Sequence, residues 1–317
     1  MTTLVVAVAI GWLHRPLDLA SPVVDLSIEP GTRPREVAQA VRDAGADVSP
    51  RLLFLWFRLS GQAREIKAGS YEMESGLTPW RLLSKLVRGD QAQGSVALIE
   101  GWTFRQVRVA LSRETDLRQD SAALSDEALM TRLGRAGQPP EGRFFPDTYT
   151  YGKGSSDLHV LERALRAMDR QLAAAWQQRP PQSVLRSPDD ALILASIVEK
   201  ETGRPTDRPV ISAVFHNRLR IGMPLQTDPT VIYGMGAAFD GNLRRADLRA
   251  DTPWNTYTRN GLPPTPIAMP GKAALLAAVR PASSPALYFV ARGDGTSHFS
   301  QTLEEHNRAV NKYQRGS

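Results

Sequence analysis

The first third of the chain alternates extended and helical patterns of apolar residues. Val24, Leu26 and Ile28 alternate with polar residues, which predicts a strand that ends at 29–31. Helical spacing follows twice, and Gly45 and Gly61 mark the helix ends. The later elements are helices over 35–44, 50–59 and 78–87 and a strand near 69–73. Together they predict a small α+β module over residues 22–94.

The remainder of the chain predicts a larger α+β domain, residues 95–317. Its first elements are a strand over 95–99, a helix over 104–111, an aromatic-rich structured loop over 140–151 and a helix over 158–176. The predicted fold class is therefore α+β, with a small module followed by a larger domain.

A buried helix begins at Ser187. Ser187 is a capping residue, Pro188 suits the first helical position, and acidic residues occupy the first turn. Residues 191–198 (ALILASIV) are almost wholly apolar, which predicts burial on all sides. The helix ends near residues 199–202, with Gly203 as the expected cap.

Two carboxylates, Glu199 and Glu201, occupy the last turn of this helix. Glu201 continues the apolar stripe of Leu194 and Val198, so partial burial is expected. Burial and the negative end of the helix dipole both favour the protonated form, which a general acid needs. The alternative is structural, with both carboxylates paired to Lys200, Arg204 or Arg208 at a solvated helix end.

A second helix, 209–220, begins after Asp207 and ends before Gly222, and a polar turn over 224–230 follows. Two short helices joined by a turn also fit a helix-turn-helix. The start of the second helix offers few exposed basic side chains, however, so we expect no nucleic-acid partner.

Composition and the absence of certain motifs exclude several classes of protein and of binding site. The chain has 317 residues, 39 Lys and Arg against 33 Asp and Glu, a net charge of +6, and no cysteine. A hydrophobic share of 42% excludes a disordered chain. The five histidines have no metal-binding spacing, and no nucleotide-binding or serine-hydrolase motif is present, so we predict no metal and no cofactor. The positive charge suits an anionic polymer or an anionic membrane surface.

Residues Leu4–Leu13 form an apolar run of ten residues, followed by His14 and Arg15. This is shorter than the roughly 20 residues that span a bilayer as a helix. We interpret residues 1–21 as a linker and the outer half of a membrane anchor whose beginning lies outside the given chain. A buried strand or helix is the alternative.

Several motifs together resemble the YceG-like family of endolytic peptidoglycan transglycosylases. They run in order along the chain: ASIVEKET (195–202), HNRL (216–219), LQTDPTVIYG (225–234), NTY (255–257), GLPP (261–264) and YFVA (288–291), with FFPDTY (144–149) before them. The resemblance implies a single-pass inner-membrane anchor, a LysM-like module over 22–94 and a periplasmic catalytic domain.

The resemblance also implies site residues. It gives the role of catalytic acid to Glu201, with Glu199 in reserve. Residues for glycan binding are ranked by polarity and motif membership: Gln226, Asn217, Arg218, Asp228, Asn255 and Tyr257. The implied reaction breaks the bond between N-acetylmuramic acid and N-acetylglucosamine and closes a 1,6-anhydro ring. The implied partners are peptidoglycan strands and penicillin-binding synthases.

Two further functions remain open from the sequence. One is a muramidase, in which Asp228 would position water. The other is a glycan-binding scaffold of the cell-wall synthesis machinery without turnover. The form of the product separates the first from a lytic transglycosylase, and survival of function after loss of Glu201 would indicate the second.

Overall fold

The computed structural model describes residues 10–90 and 93–315. The chain divides into two compact units. The N-terminal unit comprises the chain up to Val96 together with Glu114–Asp120 and Thr150–Asp157. The C-terminal unit comprises Ala97–Arg113, Ser121–Tyr149 and Leu158–Ser317. The sequence predicted a contiguous division near residue 94, and the structure adds two later segments to the first unit.

The N-terminal unit has the predicted strand-helix-helix-strand order. Its elements are β1 (Asp18–Leu19), β2 (Val23–Ile28), α1 (Pro34–Asp43), β3 (Ala46–Asp47), α2 (Pro50–Leu59), β4 (Gly69–Glu74) and α3 (Pro79–Arg88). Strands β2 and β4 are antiparallel, with Ile28 opposite Gly69 and Leu26 opposite Tyr71. The LysM-like character that the family resemblance implies for this module stays a prediction.

Alternation and capping explain these elements. Leu26, Tyr71 and Met73 are buried in one core, which α1 and α3 also contact. Helix α3 begins where the Thr78 hydroxyl accepts the Arg81 backbone N–H, and it ends at Gly89, whose φ of 74° is left-handed. The caps and the apolar pattern therefore agree, as expected of an independently packed module.

The C-terminal unit is mainly helical. Its helices are α4 (Phe104–Ser112), α5 (Asp126–Arg132), α6 (Asp157–Trp176, of which Leu158 onward belongs to this unit), α7 (Pro188–Glu201), α8 (Arg208–Arg220), α9 (Asp228–Met235), α10 (Lys272–Val279) and α11 (Leu303–Val310). Strands β7 (Tyr288–Ala291) and β8 (Ser297–Ser300) of this unit pair with each other. Strands β5 (Gln93–Ala97) and β6 (Thr148–Gly152) also pair, and most of each belongs to the N-terminal unit.

Helix α7 is the centre of this unit. Residues Ala191–Val198 are all buried, as predicted, and they pack mainly against α10 and α8. Ser196 is the one polar residue of that run. Its hydroxyl donates to the Ile193 carbonyl and accepts the Ile267 backbone N–H at 3.0 Å. The Ser196 hydroxyl thus has both a hydrogen-bond acceptor and a donor as partners, so the helix can be buried on every side. This burial holds the C-terminal turn of the helix in a fixed place.

Two elements differ from the sequence predictions. The segment 140–151 was predicted as a loop, but Thr148–Gly152 is strand β6, in which Tyr149 and Tyr151 are buried and the threonines exposed. The turn predicted over 224–230 gives way to helix α9 at Asp228, because Asp-Pro suits a first helical turn. In both cases Pro and polar residues favoured the prediction of a loop or turn, although tertiary packing stabilises a strand or helix there.

The predicted anchor lies partly outside the described residues, since 1–9 are not among them. Residues 10–14 are helical. In the described part of the chain, no helix is both long and apolar enough to cross a membrane.

Candidate active site

Glu201 is the last residue of α7 and lines two cavities of the C-terminal unit, about 550 and 590 Å³ in volume. Ala291 of β7 and Ser297 of β8 belong to the walls of both, so the two cavities adjoin at Glu201 and these two strands. The β7–β8 hairpin thus forms one wall of a cleft, and the end of α7 brings Glu201 to its middle. A chain-like ligand has room on either side of the carboxyl.

The surroundings of Glu201 favour its protonated form. Burial raises its pKa to about 7, and nearby Asp228 reinforces the rise. The Thr227 hydroxyl donates a hydrogen bond to Oε1, which opposes the rise, as does the charge of Arg218. Oε2 has no hydrogen-bond partner among the described residues. Glu201 is therefore a carboxyl with a raised pKa, with one oxygen held by a hydrogen bond and the other available to a ligand.

Buried threonines hold Thr227 in place. The Thr256 hydroxyl accepts the Thr227 backbone N–H at 3.1 Å, and the Thr230 hydroxyl donates to the Thr227 carbonyl at 2.7 Å. The Thr230 and Thr256 hydroxyls are themselves 2.9 Å apart. Since all three residues are buried, this network fixes the direction of the hydroxyl that reaches Glu201.

Gln226 has a strained backbone. Its φ is 51°, and no other non-glycine residue has a positive φ in residues 10–90 and 93–315. Its backbone N–H donates to the Thr256 carbonyl at 3.0 Å, which ties the strained residue to the threonine network. Left-handed residues of this kind concentrate at ligand sites, where the surrounding structure holds them.

We expect Gln226→Gly to leave the unfolding temperature unchanged or raise it, because glycine adopts a left-handed φ without cost. Gln226→Val is expected to destabilise the protein by about 1–2 kcal/mol. Thermal unfolding followed by circular dichroism measures both. Equal losses in the two variants would instead assign the effect to the lost hydrogen bond that Arg218 Nη1 donates to the Gln226 side-chain oxygen at 3.3 Å.

Arg218 holds the loop that carries Gln226. Its Nε donates to the Leu287 carbonyl at 2.7 Å, and its Nη1 donates to the carbonyls of Pro224 and Leu225 at 3.1 and 2.9 Å. The guanidinium also lies 5.2 Å from the Tyr288 ring centroid. This buried side chain therefore joins the loop before α9 to the β7 end of the cleft, and it lines the cavity beside Glu201.

Asp228 and Tyr257 form a second polar pair in the same cavity. The Tyr257 hydroxyl donates to Asp228 Oδ1 at 2.6 Å. Burial and the neighbouring Asp228 raise the pKa of Tyr257. Tyr257 therefore remains a donor throughout the physiological range, and Asp228 is held at the first turn of α9 as an exposed carboxylate.

The side chains of the two predicted asparagines contact backbone groups, and their role in glycan binding stays a prediction. The Asn217 amide donates to the carbonyls of Ser284 and Ala286, at 2.8 and 2.9 Å. The Asn255 amide donates to backbone carbonyls that include Ala250 at 2.7 Å, and its oxygen accepts the Tyr257 N–H at 2.8 Å. Neither lines the two cavities at Glu201. Polarity and motif membership cannot distinguish such loop-holding amides from ligand-binding ones.

The sequence left open that both carboxylates only make structural contacts. The structure shows such contacts for Glu199. It pairs with Arg208 at 2.9 Å, and it accepts the Gly271 backbone N–H at 2.9 Å. Burial raises the pKa of Glu199, and the two donors oppose that rise. One helical turn thus gives the two carboxylates different surroundings, with Glu199 tied to protein groups and Glu201 facing the cleft.

The cleft also contains residues that the sequence did not single out. His306 of α11 stacks on Tyr288 with ring centroids 5.2 Å apart, and both line the cavity beside Glu201. The Thr227 hydroxyl, which donates to Glu201, is a further group that the sequence did not single out. A histidine 105 positions from Glu201 and a threonine inside a predicted turn carry no local signal of a shared site.

A second carboxyl group has a similarly shifted pKa. Burial raises the pKa of Glu141 to about 7, although its oxygens accept hydrogen bonds from the Phe104 N–H and the Tyr233 hydroxyl. Glu141 lines a separate cavity of about 1020 Å³, with Trp254 and Lys200 in its wall. Both of its oxygens are engaged, unlike those of Glu201. No group of three or more possible metal ligands occurs within the described ranges.

Comparison with known proteins identifies the family to which the chain is similar. The YceG-like family profile matches residues 26–312. A Bacillus subtilis protein named endolytic murein transglycosylase is 30% identical over 92% of this chain and 84% of its own length. A Streptococcus pneumoniae protein of the same name is 28% identical over 93% of this chain, which spans 59% of the pneumococcal protein.

A solved structure supports the same assignment. The crystal structure of a YceG-like protein from Listeria monocytogenes superposes with a TM-score of 0.58 at 27% identity, covering 90% of this chain and 98% of that one. The family profile covers most of the chain, and the B. subtilis relative reaches 30% identity. The chain belongs to the YceG-like family.

Proposed function

We propose that this protein is an endolytic lytic transglycosylase that cleaves peptidoglycan strands between N-acetylmuramic acid and N-acetylglucosamine. The observation that carries the proposal is the Glu201 carboxyl, with a pKa raised to about 7 and a free oxygen in the middle of a two-sided cleft. The names of the B. subtilis and S. pneumoniae relatives support the substrate class and the reaction.

In the first step, Glu201 acts as general acid. Its protonated Oε2 donates to the glycosidic oxygen as the bond from that oxygen to C1 of the muramic residue breaks. The leaving sugar departs as an alcohol, and positive charge develops at C1. The Thr227 hydroxyl on Oε1 stabilises the carboxylate that forms, because a hydrogen bond to the charged form favours it.

In the second step, the same group acts as base. The Glu201 carboxylate accepts the proton of the muramic C6 hydroxyl while the C6 oxygen bonds to C1. This closes a 1,6-anhydro ring, restores the protonated acid and uses no water. One carboxyl is therefore sufficient, in contrast with glycosidases that use two.

The remaining cleft residues bind and orient the glycan. Gln226 and Tyr288 lie in the wall beside Glu201, and the Asp228–Tyr257 pair offers an acceptor and a fixed hydroxyl. Arg218 acts mainly by holding the Gln226 loop. We leave Asn217 and Asn255 out of the binding set, because their amides are engaged with backbone carbonyls.

A muramidase is the second candidate, because Asp228 shares a cavity with Glu201. In that reaction Asp228 would activate a water molecule, as the second carboxylate of a hydrolase does. The Tyr257 hydrogen bond already occupies one Asp228 oxygen, which favours an orienting role for this carboxylate.

We also propose a bacterial inner-membrane location, with the apolar run Leu4–Leu13 as part of a single-pass anchor and the catalytic domain in the periplasm. The apolar sequence and the net charge of +6 support this proposal. Penicillin-binding synthases are the proposed protein partners, since an enzyme that cuts new strands acts where those strands are made.

Digestion of un-crosslinked glycan strands tests the proposed function. Internal cleavage predicts a broad fall in strand length, and mass spectrometry should find anhydromuramic ends. Reducing muramic ends would instead establish the hydrolase. Tight strand binding with no cleavage would favour the glycan-binding scaffold without turnover.

The pH dependence of cleavage should report the Glu201 carboxyl. A raised pKa means that the acid form predominates below pH 7, so kcat/KM is expected to fall about tenfold per pH unit well above 7. Thr227→Val removes a hydrogen bond that lowers this pKa, so its alkaline limb should move to higher pH, by about one unit.

Asp228→Asn provides the opposite shift. It removes a neighbouring negative charge that raises the Glu201 pKa, so the alkaline limb should move to lower pH. Shifts of the same sign in Thr227→Val and Asp228→Asn would contradict the assignment of this limb to Glu201.

A further inference from the structure

Helix α2 of the N-terminal unit has two apolar faces. Leu53 and Phe57 are buried in the core of the unit. Leu52, Leu55 and Leu59 lie three and four positions apart on another face, where they are 51%, 49% and 74% exposed. A helix on the surface of a soluble module ordinarily has one apolar stripe, so the second needs a partner.

Aromatic residues extend this exposed stripe. Trp56 of α2 lies 5.4 Å from Trp80, measured between ring centroids, and Trp80 is 51% exposed. The His14 ring stacks on Trp80 at 6.1 Å. His14 ends the helical residues 10–14, in which Ile10, one turn earlier, is also exposed. We name Ile10, Leu52, Leu55, Leu59 and Trp80 the apolar face.

Free cations lie next to the apolar face in sequence. Arg51 precedes Leu52, Arg58 precedes Leu59, and Arg81 follows Trp80. All three are exposed, and none of their guanidinium groups has an ion-pair or hydrogen-bond partner in the part of the chain that the structure describes. Apolar side chains, tryptophan rings and unpaired arginines together fit the boundary between lipid headgroups and acyl chains of an anionic membrane.

We propose that the apolar face lies in the interface of an anionic phospholipid bilayer. The sequence supplies continuity, because the run Leu4–Leu13 includes Ile10 of the apolar face. The inference rests on the membrane location in the proposed function and adds to it a second contact, through α2. The N-terminal unit is then held against the membrane surface at two places and does not swing freely on a tether.

Site-specific labelling tests this contact, because the chain has no cysteine. Leu55→Cys and Val109→Cys in the full chain would each carry an environment-sensitive fluorophore. Val109 is a matched control, since it is an exposed apolar residue (44%) on a helix of the C-terminal unit. The probe is vesicles of phosphatidylglycerol and phosphatidylethanolamine.

On vesicle-bound protein, the label at 55 should shift to shorter wavelength and be quenched by spin-labelled lipid, whereas the label at 109 should not. A Leu52→Asn, Leu55→Asn, Leu59→Asn variant should bind these vesicles at least about tenfold more weakly. A label at 55 that stays in water on bound protein, or equal burial at 55 and 109, would overturn the proposal. Lipid-free dimers in sedimentation that shield the label would overturn it too.

Cleavage of detached strands without lipid assays the proposed function separately. The triple variant should cleave them as the unaltered protein does, because none of its leucines lines the Glu201 cleft. Loss of vesicle binding with normal cleavage is the expected result. Normal vesicle binding by the triple variant would refute the contact and leave the enzyme assignment standing.

Discussion

Glu201→Gln is expected to reduce the rate of strand cleavage by at least about a thousandfold. The variant keeps the size of the side chain and an oxygen that can accept the Thr227 hydrogen bond, but it has no proton to give to the leaving oxygen. Its affinity for strands should change little, since the amide fills the same space. Single-turnover digestion of purified strands measures the rate, and co-sedimentation measures binding.

Glu141→Gln is the matched control for this loss. Glu141 is also buried and its pKa is also raised to about 7, but it lines a different cavity and both its oxygens have partners. We expect a loss of less than about tenfold, since an amide can still accept one of those hydrogen bonds. A thousandfold loss in Glu141→Gln with mild effects in Glu201→Gln would transfer the role of acid to the other cavity.

Arg218→Ala is expected to produce the largest loss of stability. The change leaves the buried carbonyl of Leu225 and the part-buried carbonyls of Leu287 and Pro224 without their shared donor. Unpaired buried carbonyls cost about 1–3 kcal/mol each before relaxation, so a total near 3 kcal/mol or more is expected. For a unit of this size, that lowers the unfolding temperature by about 6–12 °C.

Arg220→Ala serves as the control on the same helix. Arg220 is exposed, and among residues 10–90 and 93–315 its side chain donates one hydrogen bond, to the Asn217 side-chain oxygen at 2.9 Å. Its removal should change stability by no more than about 0.5 kcal/mol. Equal shifts of the unfolding temperature in the two variants, measured by calorimetry, would contradict the expected contribution of the Arg218 hydrogen bonds to stability.

Local patterns predicted most of the fold. The apolar run of α7 and its Ser187 cap fixed a helix that the structure places at Pro188–Glu201, and α2 occupies the predicted 50–59. Strand β6 and the start of α9 were missed, because burial of Tyr149 and Tyr151 and packing of α9 depend on distant segments. The α+β class could be predicted because the other elements have clear local patterns that do not depend on packing against distant segments.

The site was predictable only in part. The resemblance gave the acid role to Glu201, and its place on the apolar stripe also favoured it. The structure gives Glu201 and Glu199 different surroundings, and the role of Glu201 stays a prediction. Thr227 could not be identified from the sequence as the donor to Glu201, because these hydrogen bonds join residues 26 positions apart. Asn217 and Asn255 illustrate the converse, since their backbone contacts come from loops that a linear pattern does not show.

The most direct test is the fate of water during cleavage. Strands digested in water enriched in oxygen-18 should yield anhydromuramic ends without the heavy isotope, because the C6 hydroxyl closes the ring and no water enters the product. Reducing ends carrying one oxygen-18 atom would contradict this account and make the protein a hydrolase, with Asp228 as the residue to examine next.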